Sequence, residues 1–188
     1  MARFTVNPAG AFKPAAPPRF DATEVEDPNI VELPNGGGTL LFYTGAWVEG
    51  DVALNCSAHD QLQPDSTKLA NAQRIGVAYR PKGSATWQRQ PEPVLSVRAG
   101  KWDSVRVSNP AALVFPNGSV LLGYRGNGHE HGGIGMAIAP HWSGPYTQLY
   151  GKSPATHCSA PLSSAWLALA SFPCLSPTSL GDPLLHAH

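Results

Sequence analysis

The sequence predicts an all-β chain built from a repeated antiparallel unit, and three observations carry that prediction. Gly and Pro number 19 each in 188 residues, a density of breakers that favours short strands joined by turns over long helices. A set of landmarks also recurs in order. Residues 27–34 (DPNIVELP) are answered by 109–116 (NPAALVFP), and an Asn-Gly turn follows each, at Asn35-Gly36 and Asn117-Gly118. The offset between copies falls from 82 residues at Pro28/Pro110 to 59 at Ile75/Ile134, which places an insertion in the polar stretch between Gly45 and Arg74.

Each element of the unit has its own justification. Asn-Gly between apolar runs favours a type I′ hairpin turn, because both residues tolerate positive φ. The runs that follow, TLLFYTG at 39–45 and VLLGYRG at 120–126, are apolar and aromatic over strand length rather than helix length. RIGVAYRP and GIGMAIAP carry the small residues Gly76, Ala78, Gly135 and Ala137, which mark close approach between neighbours. A Trp follows in each copy, Trp87 and Trp142, and equivalent placement favours packing between units. Repeated small meanders of this kind are the signature of propeller blades. Periodicity alone leaves a β-sandwich of similar hairpins open.

Composition excludes several classes. Lys plus Arg equals Asp plus Glu at 13 each, so no basic footprint for nucleic acid is present. No run of 18 apolar residues offers a membrane-spanning helix, and the opening MARFTVNPAGAF has no apolar leader core, so localisation stays open. Cys56, Cys158 and Cys174 show no CxxC spacing, and no cofactor motif such as a P-loop or HExxH occurs. His129 and His131 flank Glu130 in a Gly-rich loop, yet spacing nominates no third ligand, so no metal site is predicted.

EDPNIVELPNGG, IGVAYRPKGSATWQRQPEPVL, WDSVRVSNPAALVFPNGSVLLGYRG and IGMAIAPHWSGPY together resemble five-bladed β-propeller glycoside hydrolases of the family 43 type, in the wider arabinanase, levansucrase and invertase group. The resemblance covers about residues 22–151 and implies roughly two of the five blades, hence an apparently truncated chain. It divides the sequence into an irregular N-terminal arm (1–21), a partial propeller (22–151) and an irregular tail (152–188). The tail lacks blade landmarks and, from residue 154 on, carries one Asp or Glu and no Lys or Arg, Asp182.

The implied activity is hydrolysis of O-glycosidic bonds, with a carbohydrate as partner. Such cleavage needs two carboxyl groups, one acid and one base or nucleophile. The resemblance places a catalytic or stabilising aspartate at Asp27, heading an innermost strand. Asp103 is the second catalytic candidate, and the adjoining Trp102 is a candidate surface for stacking a sugar. Asn109 stands where the first copy has Asp27; an amide is no general base, so it is expected to bind a sugar hydroxyl, as is Arg125. Glu26, one residue from Asp27 on an extended segment, is expected to point the other way. The alternative is a non-catalytic carbohydrate-binding fragment or an inactive gene product. Two blades close no ring, so self-association through open sheet edges is expected.

Overall fold

The computed structural model describes residues 12–49, 66–128 and 132–149. The expected all-β architecture is present: two four-stranded antiparallel sheets follow one another along the chain. The first contains β1 (Glu24–Glu32), β2 (Thr39–Ala46), β3 (Arg74–Arg80) and β4 (Gln88–Arg89). The second contains β5 (Arg106–Val114), β6 (Val120–Asn127), β7 (Gly132–Ala139) and β8 (Thr147–Gln148). Strand order equals chain order in both, so each sheet is a meander. The one α-helix among the described residues, α1 (Ser66–Asn71), leads into β3.

The repeat holds strand by strand. Leu40 pairs with Val31 and Tyr79 in the first sheet, as Leu121 pairs with Leu113 and Ile138 in the second. The two Asn-Gly sequences nevertheless make different turns. Asn35 and Gly36 both take positive φ, +59° and +68°, and the Gly37 amide donates to Pro34, as a type I′ turn requires. In the second copy only Gly118 is left-handed, and its amide donates to Phe115 across Pro116-Asn117, a type I geometry. The first copy has one more residue here, which lengthens its connection.

The sheets stack face to face. Leu40, Phe42, Ile75, Val77 and Leu95 from the first side meet Val107, Val120, Leu122, Tyr124 and Ala137 from the second. Each large apolar side chain so buried contributes about 1.5–3 kcal/mol, which makes this layer the main source of stability. Trp142 reaches across it and stacks on Tyr79 at 5.4 Å. Three polar contacts tie the inner strands together: Ala112 N donates to Asn29 Oδ1, Val107 N to the Gln73 carbonyl, and Asn109 N to Thr44 Oγ1.

The opposite face of the first sheet is covered by residues before 22. Phe12 and Phe20 pack on Leu41, Tyr43 and Ala78, with Trp87 beside them. The described part of the expected arm, residues 12–21, forms no strand or helix but packs on this sheet, anchored by Asp21, which is fully buried. The outer strands β4 and β8 are only two residues long, so the outer edges offer little backbone for strand pairing.

Candidate functional site

Asp27 and Asn109 sit at matching irregularities. In β1 the register shifts between Glu26 and Asn29, where three residues oppose a two-residue step on β2. In β5 the same shift falls between Ser108 and Ala111. Each is a one-residue bulge, and each puts a residue that precedes proline at positive φ, +49° for Asp27 and +51° for Asn109. That conformation costs a non-glycine residue on the order of 1–2 kcal/mol and is least unfavourable for Asp and Asn. The bulge exists because Pro28 and Pro110 supply no amide for the ladder at that point.

Thr44 joins the two strand heads. The Asn109 amide donates to Thr44 Oγ1 at 3.0 Å, and the Thr44 hydroxyl donates to Asp27 Oδ2 at 3.1 Å. The Asp27 carboxylate and the Asn109 backbone therefore lie within about 6 Å, at the same end of neighbouring sheets. Asp27 is half-buried, Thr44 fully buried and Asn109 exposed. Asn109 Oδ1 accepts from Ser108 Oγ at 3.0 Å.

Glu26 joins Asp27 on one face instead of pointing away. It stands opposite Thr44 in the register, and opposed residues share a face, while the bulge turns the Asp27 carboxylate to the same Thr44. Alternation fails here because it presumes a regular strand. Gln73 Nε2 donates to Glu26 Oε1. Burial pushes the Glu26 carboxyl up to about 7, helped by the hydrogen bond and charge of Glu24 and by the charge of Asp27, with Arg106 pulling the other way.

Asp103 and Trp102 are not at this site, which corrects the expectation for both. Asp103 is fully buried. Arg98 clasps both its oxygens at 2.9–3.1 Å, Tyr124 donates to Oδ2 at 2.8 Å, and Gln148 donates at 3.0 Å. A carboxylate so enclosed has no room for a sugar. Trp102 stacks on Tyr124 at 5.9 Å and fills the space over Gly126, where a Cβ would meet its ring at 2.6 Å.

The first sheet repeats this arrangement. Asp21 takes Tyr43 at 2.8 Å together with Arg19 and Arg89, and Phe20 stacks on Tyr43 at 6.1 Å. Gly45 and Gly76 leave the space there that Gly126 and Gly135 leave in the second sheet. Phe20-Asp21 is thus the counterpart of Trp102-Asp103. The signal was in the sequence: an aromatic-Asp pair ends six residues before each strand head.

Arg125 is exposed and pairs with Ser108 and Ile134, so it leaves the second sheet on the face turned away from Asp27. It is not brought together with the Asp27–Thr44–Asn109 group. His129, Glu130 and His131 lie outside the described residues, as do Cys56, Cys158 and Cys174.

No family model matches the sequence, and no curated protein matches it either. Solved structures do. A family 117 glycoside hydrolase from the marine bacterium Zobellia galactanivorans matches at TM-score 0.50 and 21% identity, over 73% of this chain and 35% of that one. A putative glycoside hydrolase from Parabacteroides distasonis matches at 0.53 and 14%, over 76% and 39%. A structure from the family 130 mannoside phosphorylases, a family described as containing hydrolases of β-1,2 mannosidic linkages in Candida mannan, matches at 0.53 and 13%, over 74% and 38%.

The fold is a partial β-propeller, like part of these structures. The chain spans 35–39% of the length of these structures. The structures matched come from more than one family, 117 and 130 among them.

Proposed function

We propose that the chain belongs to carbohydrate chemistry as a glycoside hydrolase-type propeller, acting on O-glycosidic bonds with Asp27 as general base or charge stabiliser. The observation that supports this is the strained backbone of Asp27. A residue held at φ +49° before proline, on an inner strand, is maintained only where the surroundings impose it, and such positions cluster at functional sites. Thr44 engages one carboxylate oxygen of Asp27, which leaves the other for a water or a sugar hydroxyl. The exposed Asn109 side chain offers an amide to a hydroxyl on the same side. The proton donor that glycoside cleavage also requires is unassigned.

A second reading is a carbohydrate-binding propeller without turnover. Its support is that Asn109 replaces a carboxylate at the second strand head while Asp103 is sealed in the core. A panel of aryl glycosides and oligosaccharides separates the two, with turnover measured by released aglycone and binding by calorimetry. Under the first reading, Asp27→Asn lowers turnover by at least about a hundredfold, the lower end for general acid–base catalysis, with binding retained. Equal turnover in the variant rejects it. Binding without turnover in the unaltered chain establishes the second.

A further inference from the structure

The two Pro-Asn-Gly turns stand side by side at the end of the sheets away from Asp27, and a cleft of about 280 Å³ opens between them. Asn35 of the first turn, Asn117 of the second, and His141 and Trp142 after β7 line it, with Leu33 and Pro34 as apolar wall. Extended chain from Asp27 to Leu33 covers roughly 20 Å, so the cleft and the strand heads are separate places.

The polar groups of the cleft are fixed and point to one kind of ligand. Asn117 Oδ1 accepts from the Ser119 amide at 3.1 Å and from its hydroxyl at 2.7 Å, which leaves the two Nδ2 protons to give. The Ser143 amide can only donate, and it donates to His141 Nδ1 at 3.3 Å, so the imidazole keeps its proton on Nε2 as a further donor. Asn35 holds its left-handed backbone within the turn and is exposed, as are Asn117 and His141. Trp142 supplies an aromatic surface that is already braced. Tyr79 stacks on it at 5.4 Å while donating to the Gly37 carbonyl at 2.7 Å, and Tyr146 donates to the Trp142 carbonyl at 3.0 Å. A site held in place before binding loses little freedom on taking a ligand.

No Asp, Glu, Lys or Arg lines the cleft; Lys82 lies beside Gly36, outside the lining. The ligand is therefore uncharged. It has an apolar face for Trp142 and Leu33, and hydroxyls on its edge for two amides and an imidazole. The volume falls just under the range of about 300–1,000 Å³ that holds drug-sized ligands, which suits one ring rather than a chain. We propose that this cleft binds a single neutral sugar ring, as a carbohydrate site distinct from the strand heads. Binding here is independent of whether Asp27 carries turnover.

Proton–nitrogen correlation NMR of the full chain, titrated with a panel of neutral methyl pyranosides and furanosides, tests this. About a dozen heavy atoms at ordinary ligand efficiency give a Kd on the order of 1 mM. At least one sugar should shift the Trp142 indole and the Asn35 and Asn117 side-chain amides saturably, whereas glycerol, which has hydroxyls but no ring face, should not. Asn117→Asp keeps the oxygen that Ser119 uses but loses the donors, and Asn35→Gly keeps the left-handed backbone without the amide. Each should weaken binding about three- to tenfold, the worth of one or two hydrogen bonds, with unchanged circular dichroism. Asp27→Asn should bind in the cleft as the parent does. The proposal is overturned if no sugar moves these signals, if glycerol acts as well as the sugars, or if both cleft variants bind like the parent. Shifts confined to Thr44 and Asn109 overturn it too, while leaving the reading of the strand heads intact.

Discussion

Asp27 and Asn109 share one hydroxyl: Thr44 Oγ1 accepts from the Asn109 amide and donates to the Asp27 carboxylate. The two residues also share a left-handed backbone, a following proline and a one-residue bulge. Local strain at one strand head is thus held in place by the neighbouring sheet. This distinguishes the pair from ordinary turn residues, whose positive φ is satisfied within their own loop.

The first prediction concerns that strain. Asn109→Gly removes the steric cost of φ +51° and should change stability by less than about 0.5 kcal/mol, since glycine gives up more chain entropy on folding. Asn109→Ala keeps the cost without the local hydrogen bonding that eases it, and should lose about 1–2 kcal/mol. Urea unfolding of the two variants checks the ordering. An alanine variant as stable as the glycine one would mean the backbone relaxes freely there.

Thr44 acts through others, so its removal should register in two ways. Thr44→Val preserves shape but strands the Asn109 amide beside a carboxylate that has lost its donor. The expected loss is about 1–3 kcal/mol, the cost of an unmet buried polar group. Thr44→Ser should restore most of it. If Asp27 carries turnover, Thr44→Val should also lower kcat with little change in KM, and Thr44→Ser should recover kcat.

Buried aspartates clamp both sheets, and the clamps should be equivalent. Asp103→Ala leaves Arg98 and Tyr124 without their shared acceptor and should cost about 3–5 kcal/mol, as breaking a buried ion pair does. Asp21→Ala should cost a similar amount through Arg19, Arg89 and Tyr43. Tyr124→Phe removes one donor among several and should cost about 1 kcal/mol. Gly135→Ala should be severe, because its Cβ would fall 2.3 Å from the Tyr124 ring. Thermal unfolding ranks all four, and a mild Asp103→Ala would remove the clamp from the account.

These clamps also show where the sequence was legible. The landmarks from Asp27 to Trp87 and from Asn109 to Trp142 encode strands directly, because a hairpin turn and alternating apolar residues are local requirements. The sheets, their antiparallel order and the insertion between Gly45 and Arg74 followed from them. Phe20-Asp21 went unrecognised because its partners Tyr43 and Gly76 lie up to 55 residues away in the chain. Trp102-Asp103 then read as a carboxylate beside a sugar-stacking ring, when burial makes it a strut. That Asp27 falls on the same side as Glu26 was illegible for a different reason, since one bulge residue resets the side chains that follow it.

The last prediction is a pH dependence located at Glu26. Its carboxyl titrates near 7 in the folded chain and near 4.5 when unfolded, so the fold prefers it protonated. A raised acid contributes its stabilisation in full below the unfolded value and loses it as pH climbs through the folded one. Stability should therefore fall between about pH 4.5 and pH 7 at this group, in the direction opposite to a carboxylate held by an arginine. Glu26→Gln keeps an amide oxygen for Gln73 and carries no charge toward Glu24 or Asp27. It should flatten that part of the profile and be the more stable form at pH 8. With screening of a half-exposed group allowed for, the gain is about 1 kcal/mol, or roughly 3 °C in Tm for a chain of this size. Melting curves of both forms at pH 5 and pH 8 decide it: the difference should be near zero at pH 5 and favour Glu26→Gln at pH 8, and a difference of the opposite sign would show that Arg106, rather than burial, governs this carboxyl.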